Sequence, residues 1–365
     1  MLERGYEEHT TPRTSPPRLL LAVLVMALTV VGANWAVGRF LDTQGTNLGY
    51  VYIAHKWRVL STLDAPVDWL VLGDSSGSQA FDPQVLHDTT GKTAINLGTI
   101  GNFGLSDDLW MLEEYIDRFG PPERVVLIHV YDVWHRSLKP SLIGRIPRPW
   151  VLSDQTAERY GFDQEARRDI FLNRYVRLFA ERTSLRKSIE YAWLRLTSDD
   201  EELADARKKD RALPPEDPEL TDSGFVRMCG ALPSALKRDS RGHMRFLKKR
   251  RPRISKDNRE ALLSIAKLAQ QHGFPVHVIN GPLYERLERK PEFHGYFDRQ
   301  VTMLRTLVEH YPMVHIGPNV LGFDSAHLQN VDHISCDATA DYTRWAIGQV
   351  LQPDDGPSSQ EAPAP

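Results

Sequence analysis

Cysteine is nearly absent from this 365-residue chain: there are only Cys229 and Cys336. That excludes a disulfide-dense scaffold and a thiolate zinc finger, and leaves room for one bridge in an oxidising compartment. An excess of one charge sign is lacking too, since 45 Lys and Arg against 48 Asp and Glu give a formal charge of -3. A dedicated nucleic-acid binder needs a strongly basic domain to neutralise phosphates, so no nucleic-acid partner is expected. The Gly-Lys-Ser/Thr ending of a Walker A loop is missing. His129, His135, His277 and His315 are scattered without ligand spacing, so neither a metal nor a cofactor is expected. No internal repeat is present. Apolar residues, by contrast, are plentiful: 41% hydrophobic against 25% charged at this length is enough for a full core, in one large domain or two small ones.

A mean hydropathy of -0.40 looks soluble, but the average conceals one segment. Leu19 to Val37 (LLLAVLVMALTVVGANWAV) carries no charge and is close to the ~20 residues that cross a hydrocarbon core as a helix. Arg13 and Arg18 precede it and Arg39 and Asp42 follow, which favours a cytoplasmic N-terminus at an inner (cytoplasmic) membrane and a periplasmic or extracellular body. Trp35 suits an interface. The run is apolar on every face, which argues against a core helix. We read an uncleaved, single-pass anchor; Gly32, Ala33 and Ala36 leave a cleaved signal peptide as the alternative.

The chain then divides into a polar tail (1–17), the anchor (18–37), a juxtamembrane linker (38–66) with a helix over 44–62, a body (67–351), and a disordered tail (352–365) rich in Pro, Ser and acid. Strands are predicted at Val67–Leu72, Thr93–Leu97, Arg124–Val130, Pro275–Asn280 and Met313–Ile316. Helices are predicted at Ser106–Phe119, Asp257–His272, Phe297–Tyr311 and Ala338–Leu351. Continuous apolar strands alternating with helices define an α/β fold, a three-layer sandwich around a mainly parallel sheet. Residues 139–255 interrupt the alternation as a helical insertion or cap. Within it, Tyr160–Leu196 has aromatic and aliphatic residues at helical spacing, which predicts packing. Asp199–Asp222 reads as an exposed acidic loop. Lys237–Lys256 carries ten basic residues against Asp239 alone, a solvated basic face or a surface for anionic lipid or an acidic polymer.

Three segments carry chemistry. Gly73-Asp74-Ser75-Ser76-Gly77-Ser78 follows the first strand, where an open parallel sheet places its ligand crevice. A serine there needs a histidine base and oxyanion donors; the competing reading is a turn in which Asp or Ser caps a helix. Asn96-Leu97-Gly98-Thr99-Ile100-Gly101-Asn102 follows the second strand, with glycines that let backbone N–H groups approach a ligand. Asn330-Val331-Asp332-His333-Ile334-Ser335 leads into the last helix, with a carboxylate beside a histidine that can act as general base and then acid.

Gly-Asp-Ser after the first strand, Asn-x-Gly-x-x-Gly after the second and a late Asp/His loop followed by Ala-Thr-Ala-Asp-Tyr-Thr resemble the SGNH/GDSL hydrolase superfamily. More narrowly, the chain resembles its membrane-anchored bacterial branch, which includes alginate O-acetylation proteins and the D-alanyl-transfer protein of teichoic acid modification. The resemblance spans 67–350 outside the insertion and implies a flavodoxin-like sandwich. It makes Ser75 the nucleophile and one oxyanion donor through its N–H, Gly101 the second donor and His333 the base, with Asn96 opening the second block.

Three positions depart from the family pattern. Its third block commonly supplies an Asn after a strand, where Val130-Tyr131-Asp132 has Tyr131. Asn330 stands three residues before His333, where the catalytic Asp is usual, leaving adjacent Asp332 as the acid. Asp324-x-x-His327 is a rival dyad with the usual spacing, and Asp324 is also a reserve acid for His333. Ser76 replaces Ser75 if the turn is shifted. Cys336 is either a small buried residue or a partner for Cys229 that would tie the insertion to the base loop.

The expected function is that of an extracytoplasmic serine esterase or O-acyltransferase acting on an envelope or exopolysaccharide glycan through an acyl-Ser75 intermediate. Its partners would be an acyl donor or acylated glycan, and a membrane acyltransferase is implied by the resemblance. The alternative is a catalytically degenerate glycan-binding or polysaccharide-assembly protein on the same fold.

Overall fold

Five short runs form one parallel sheet whose three central strands are buried almost throughout on both faces, a pattern that suits strands covered by helices on either side. A computed structural model describes residues 16–209, 217–230 and 233–351; most of the N-terminal tail, the C-terminal tail and residues 210–216 of the acidic stretch lie outside the described residues. In chain order the strands are β1 (Trp69–Gly73), β2 (Ala94–Asn96), β3 (Arg124–His129), β4 (Glu219–Leu220), β5 (Val226–Arg227), β6 (Val276–Asn280), β7 (Leu283–Tyr284), β8 (Val314–Ile316) and β9 (Gly322–Phe323). The main sheet runs β2-β1-β3-β6-β8, every pair parallel. The chain steps from β1 to β2 on one side, then crosses back to β3 on the other. That reversal makes a switch point between β1 and β3, where the strand ends open a crevice.

The helices begin with α1 (Pro16–Gln44) and α2 (Leu48–Thr62), followed by α3 (Ser75–Ala80), α4 (Pro83–Thr90) and α5 (Ser106–Phe119). The insertion contributes α6 (Pro140–Ile143), α7 (Asp154–Tyr160), α8 (Gln164–Tyr175), α9 (Arg177–Ala180), α10 (Arg182–Thr197), α11 (Asp200–Lys209) and α12 (Pro233–Lys249). The C-terminal part supplies α13 (Lys256–His272), α14 (Glu285–Glu288), α15 (Pro291–Leu307) and α16 (Thr339–Leu351). α5 packs on α13, while α3 and α4 pack on α16. Right-handed crossovers of opposite direction place these pairs on opposite faces of the sheet. Side-chain caps set several starts: Asp82 accepts from Gln84 N–H with Pro83 in the first turn of α4, and Ser255 accepts from Asn258 N–H at α13.

The helix expected over 44–62 is present as α2, and its Ile53, Trp57 and Leu60 are wholly buried in the main core, so this segment is built into the body. Its Lys56 is buried as well: Nζ donates to Asn96 C=O at 3.0 Å and to Gly224 C=O, joining α2, the sheet edge and the β4–β5 hairpin. Burial pushes the Lys56 pKa well below the ordinary ammonium range. The hairpin also covers the edge of β2, with Asn96 N–H donating to Ser223 C=O at 2.8 Å. The stretch expected as an acidic loop contains a ten-residue helix, α11, with Asp200, Glu201 and Glu202 in its first turn, where negative charge suits the helix dipole. The helix expected over Phe297–Tyr311 is α15, which starts at Pro291 because proline fits a first turn. Finally, Phe171, Tyr175, Phe179, Ile189, Trp193 and Leu196 are exposed, although helical spacing suggested packing.

α1 has the length and composition to cross a membrane, and its apolar residues from Leu19 to Val31, with Trp35, are solvent-exposed in the isolated chain.

Candidate active site

β1 ends at Gly73 with φ of 141°, a conformation that favours glycine; a Cβ there would stand 2.0 Å from Ile128 C=O. The chain turns sharply off the sheet at this point. Asp74 then caps α3: one carboxylate oxygen accepts from Ser76 N–H at 2.8 Å and Ser76 O–H at 2.6 Å, and the other accepts from Val130 N–H at 2.9 Å. Asp74 therefore ties the serine turn to the end of β3. Ser76 is fully buried and its hydroxyl is committed to Asp74, so only half-buried Ser75 is free to face the crevice.

His333 reaches Ser75 from the other end of the chain. Its Nε2 lies 2.9 Å from Ser75 Oγ, and its Nδ1 lies 2.7 Å from an Asp332 oxygen and 3.0 Å from Asn330 Oδ1. Acceptors at Nδ1 place the proton there and leave the Nε2 lone pair for the serine hydroxyl. The loop is locally held: Leu328 and Ile334 form an antiparallel bridge, Gln329 N–H donates to His333 C=O at 2.9 Å, and Asp332 N–H donates to Asn330 Oδ1 at 3.0 Å. Asn330 is thus a turn-former and a second acceptor for the imidazole, and the adjacent Asp332 supplies the carboxylate.

Burial pulls the His333 pKa down, but the Asp332 charge and hydrogen bond, with Asp74 and Asp239 further off, outweigh it and leave it raised. For Asp332, burial acts upward and the imidazole's charge and hydrogen bond prevail, so its carboxyl is held far below the usual range. If His333 acts as base, kcat/KM falls as pH drops through a pKa above the ~6.5 of free imidazole, because only the neutral ring accepts a proton. A pH–rate profile with an active ester checks this. Asp332→Asn should move the acid limb downward while lowering the plateau.

The rival dyad does not form. Asp324 caps a short 3-10 turn over Ser325–His327 by accepting from Ala326 N–H, while His327 lies 2.6 Å from Asp337, 44% exposed at the surface. Asp324 is exposed and does not orient His333.

The second block divides its roles. Asn96 is fully buried: its amide donates to Gly77 C=O at 3.0 Å and Phe81 C=O at 2.7 Å, and its oxygen accepts from Gly98 N–H at 3.0 Å. It braces α3 and does not face a ligand. Asn102 is exposed. Gly101 is buried beneath Arg136, and a Cβ there would come 2.7 Å from Arg136 Nη1.

Tyr131 turns away into an aromatic cluster with Phe293 and Tyr296, its hydroxyl 2.6 Å from His243 Nδ1. The loop after β3 brings Arg136, held by Asp132 at 2.7 Å, over Gly101. Sequence reading missed Arg136, since a charged residue five positions beyond the expected amide carries no signal of its direction.

A second missed feature lies beneath the nucleophile turn. His129 stands between Asp108, 2.6 Å from Nε2, and Asp74, 3.5 Å from Nδ1, all buried. Burial lowers its pKa, but the carboxylates, Asp108 foremost, push it up to about 9, so the ring is a buried cation there. The basic stretch is close as well. α12 brings Arg238, paired with Asp239 at 2.9 Å, and Arg241, His243 and Arg245 to a cleft it shares with Asp132.

Cys229 and Cys336 are joined, with Cα atoms 4.7 Å apart. The bridge links the strand end after β5 to the loop that follows His333, beside Gly230 N–H donating to Ser335 Oγ at 2.9 Å. Among the described residues no cluster of three or more His, Cys, Asp or Glu side chains could hold a metal ion. No family model matches the sequence, and no curated protein aligns with it significantly.

Proposed function

We propose that the protein is a membrane-anchored, extracytoplasmic serine esterase or O-acyltransferase of the SGNH kind, acting on an envelope or exopolysaccharide glycan. The observation that carries this reading is the continuous relay from Ser75 Oγ through both nitrogens of His333 to Asp332, at the switch point of a parallel sheet. Ser75 attacks the acyl carbonyl as its proton passes to Nε2 of His333, and Asp332 stabilises the imidazolium. The backbone N–H groups of Ser75 and Gly101 receive the developing oxyanion. Collapse expels the alcohol with the proton from His333, and water or a sugar hydroxyl then takes the acyl group from Ser75. Transfer in place of hydrolysis needs only a better-placed acceptor, and a membrane acyltransferase is the class of partner that would load the donor.

Arg241 and Arg245, in a cleft that Asp132 and Asp239 also line, support an acidic polymer as the glycan. The Arg136 guanidinium lies over Gly101, the second proposed oxyanion donor. Arg136→Ala is expected to lower kcat/KM about 10²-fold, the order of one oxyanion donor, and Arg136→Lys to recover part of it; steady-state kinetics with a neutral acyl ester separate this from charge attraction of an acidic substrate. The reading as a whole is tested by incubation with an activated ester and mass spectrometry of the Ser75 peptide. A stable protein with no acyl adduct would leave the glycan-binding alternative.

A further inference from the structure

Outside α1, the exposed large apolar side chains of the described residues are concentrated in one place. Phe171 and Tyr175 on α8, Phe179 on α9, and Ile189, Trp193 and Leu196 on α10 are about half exposed or more, with Trp193 at 66% and Leu196 at 82%; the one exception is Leu351. Spacings of four on α8, and of four and three on α10, set these residues along single helix faces. These are the helices that grip α1. Asn34 donates to Tyr175 C=O at 2.7 Å and accepts from Leu178 N–H at 3.1 Å, Arg177 forms a two-pronged ion pair with Asp42 at 2.7 and 3.0 Å, and Thr46 N–H donates to Ser188 Oγ at 3.0 Å. At about 1.5 Å per residue, Asn34 stands about 22 Å along the apolar run from Leu19, near the far boundary of a ~30 Å hydrocarbon core.

We propose that α8, α9 and α10 form a bilayer-seating surface, whose exposed aromatic and aliphatic residues enter the headgroup boundary of the membrane that α1 crosses. This rests on reading α1 as a span. Continuity with α1 decides the occupant, because residues bonded to Asn34 and Asp42 cannot be far from the lipid that surrounds the neighbouring turns. The charge agrees: residues 164–197 hold eight Arg and Lys against four Asp and Glu, as expected at an anionic leaflet surface. Arg182 and Arg174 lie over the rings of Phe179 and Tyr175, which keeps the cations beside the aromatic residues that would enter the boundary.

The test uses the full chain in nanodiscs of equal parts phosphatidylcholine and phosphatidylglycerol, doped with a phospholipid whose diazirine sits at the carbonyl end of an acyl chain. Peptide mapping after illumination should find label on residues 17–37 and on 164–197. In Trp193→Ser/Leu196→Ser the α10 label should be lost while the 17–37 label and the thermal transition persist. Label confined to 17–37 would overturn the seating surface and leave the span intact. No label on 17–37 would remove the span, and the seating surface with it.

Discussion

Ser75→Ala is expected to lower kcat for an activated ester by at least about 10³-fold without changing the fold. The Ser75 hydroxyl makes one described contact, to His333, so its loss removes the proposed nucleophile and no other described bond. Residual turnover comes only from the oxyanion donors and from positioning. His333→Ala should match Ser75→Ala, and the double variant should be no worse than either, because the two act as a unit. Ser76→Ala separates the assignment. It deletes a buried hydrogen bond to the Asp74 cap, so it should cost about 1 kcal/mol of stability and a modest part of the rate. Steady-state kinetics beside thermal denaturation read both; a Ser76→Ala loss as deep as that of Ser75→Ala would reverse the roles.

The second large effect concerns the bridge. Cys229 and Cys336 are 107 residues apart, and closing a loop of that length stabilises a fold by about 4 to 5 kcal/mol in the chain-entropy account. Cys229→Ser/Cys336→Ser should lower Tm by about 10 °C. It should also reduce kcat below the transition, since Cys336 follows His333 by three residues and holds the base loop to the strand end near Met228, whose C=O accepts from Cys336 N–H at 2.8 Å. Calorimetry and kinetics on oxidised and reduced wild type provide the same comparison without substitution. Unchanged Tm on reduction would count against a stabilising bridge.

The strands of the main sheet were legible because each is a short apolar run ending in a turn, and burial on both faces leaves that pattern in the residues themselves. Ser75 and His333 were legible for a similar reason: each stands at the carboxyl side of a strand or before a terminal helix, next to residues with few other uses. Choices at the scale of one turn were harder. Asp332, Asn330 and Asp324 all precede a histidine, and only the folded loop shows that Asn330 shapes the turn, Asp332 reaches the ring and Asp324 caps a helix elsewhere. Asn96 looked like a ligand contact and is a brace, since a buried amide and a substrate-binding amide are the same residue in sequence. The insertion was least legible. Aromatic residues at helical spacing are identical in composition whether they face a core or an apolar solvent.

α1 ends at Gln44 and α2 begins at Leu48, so three residues, spanning about 10 Å at most, join the long apolar helix to a helix built into the core. Lys56 then rivets that core helix to the edge of the sheet. Such a body cannot roam on a tether. If α1 crosses a membrane as proposed, the crevice would work at a fixed altitude above it, and a glycan substrate would have to pass at that height.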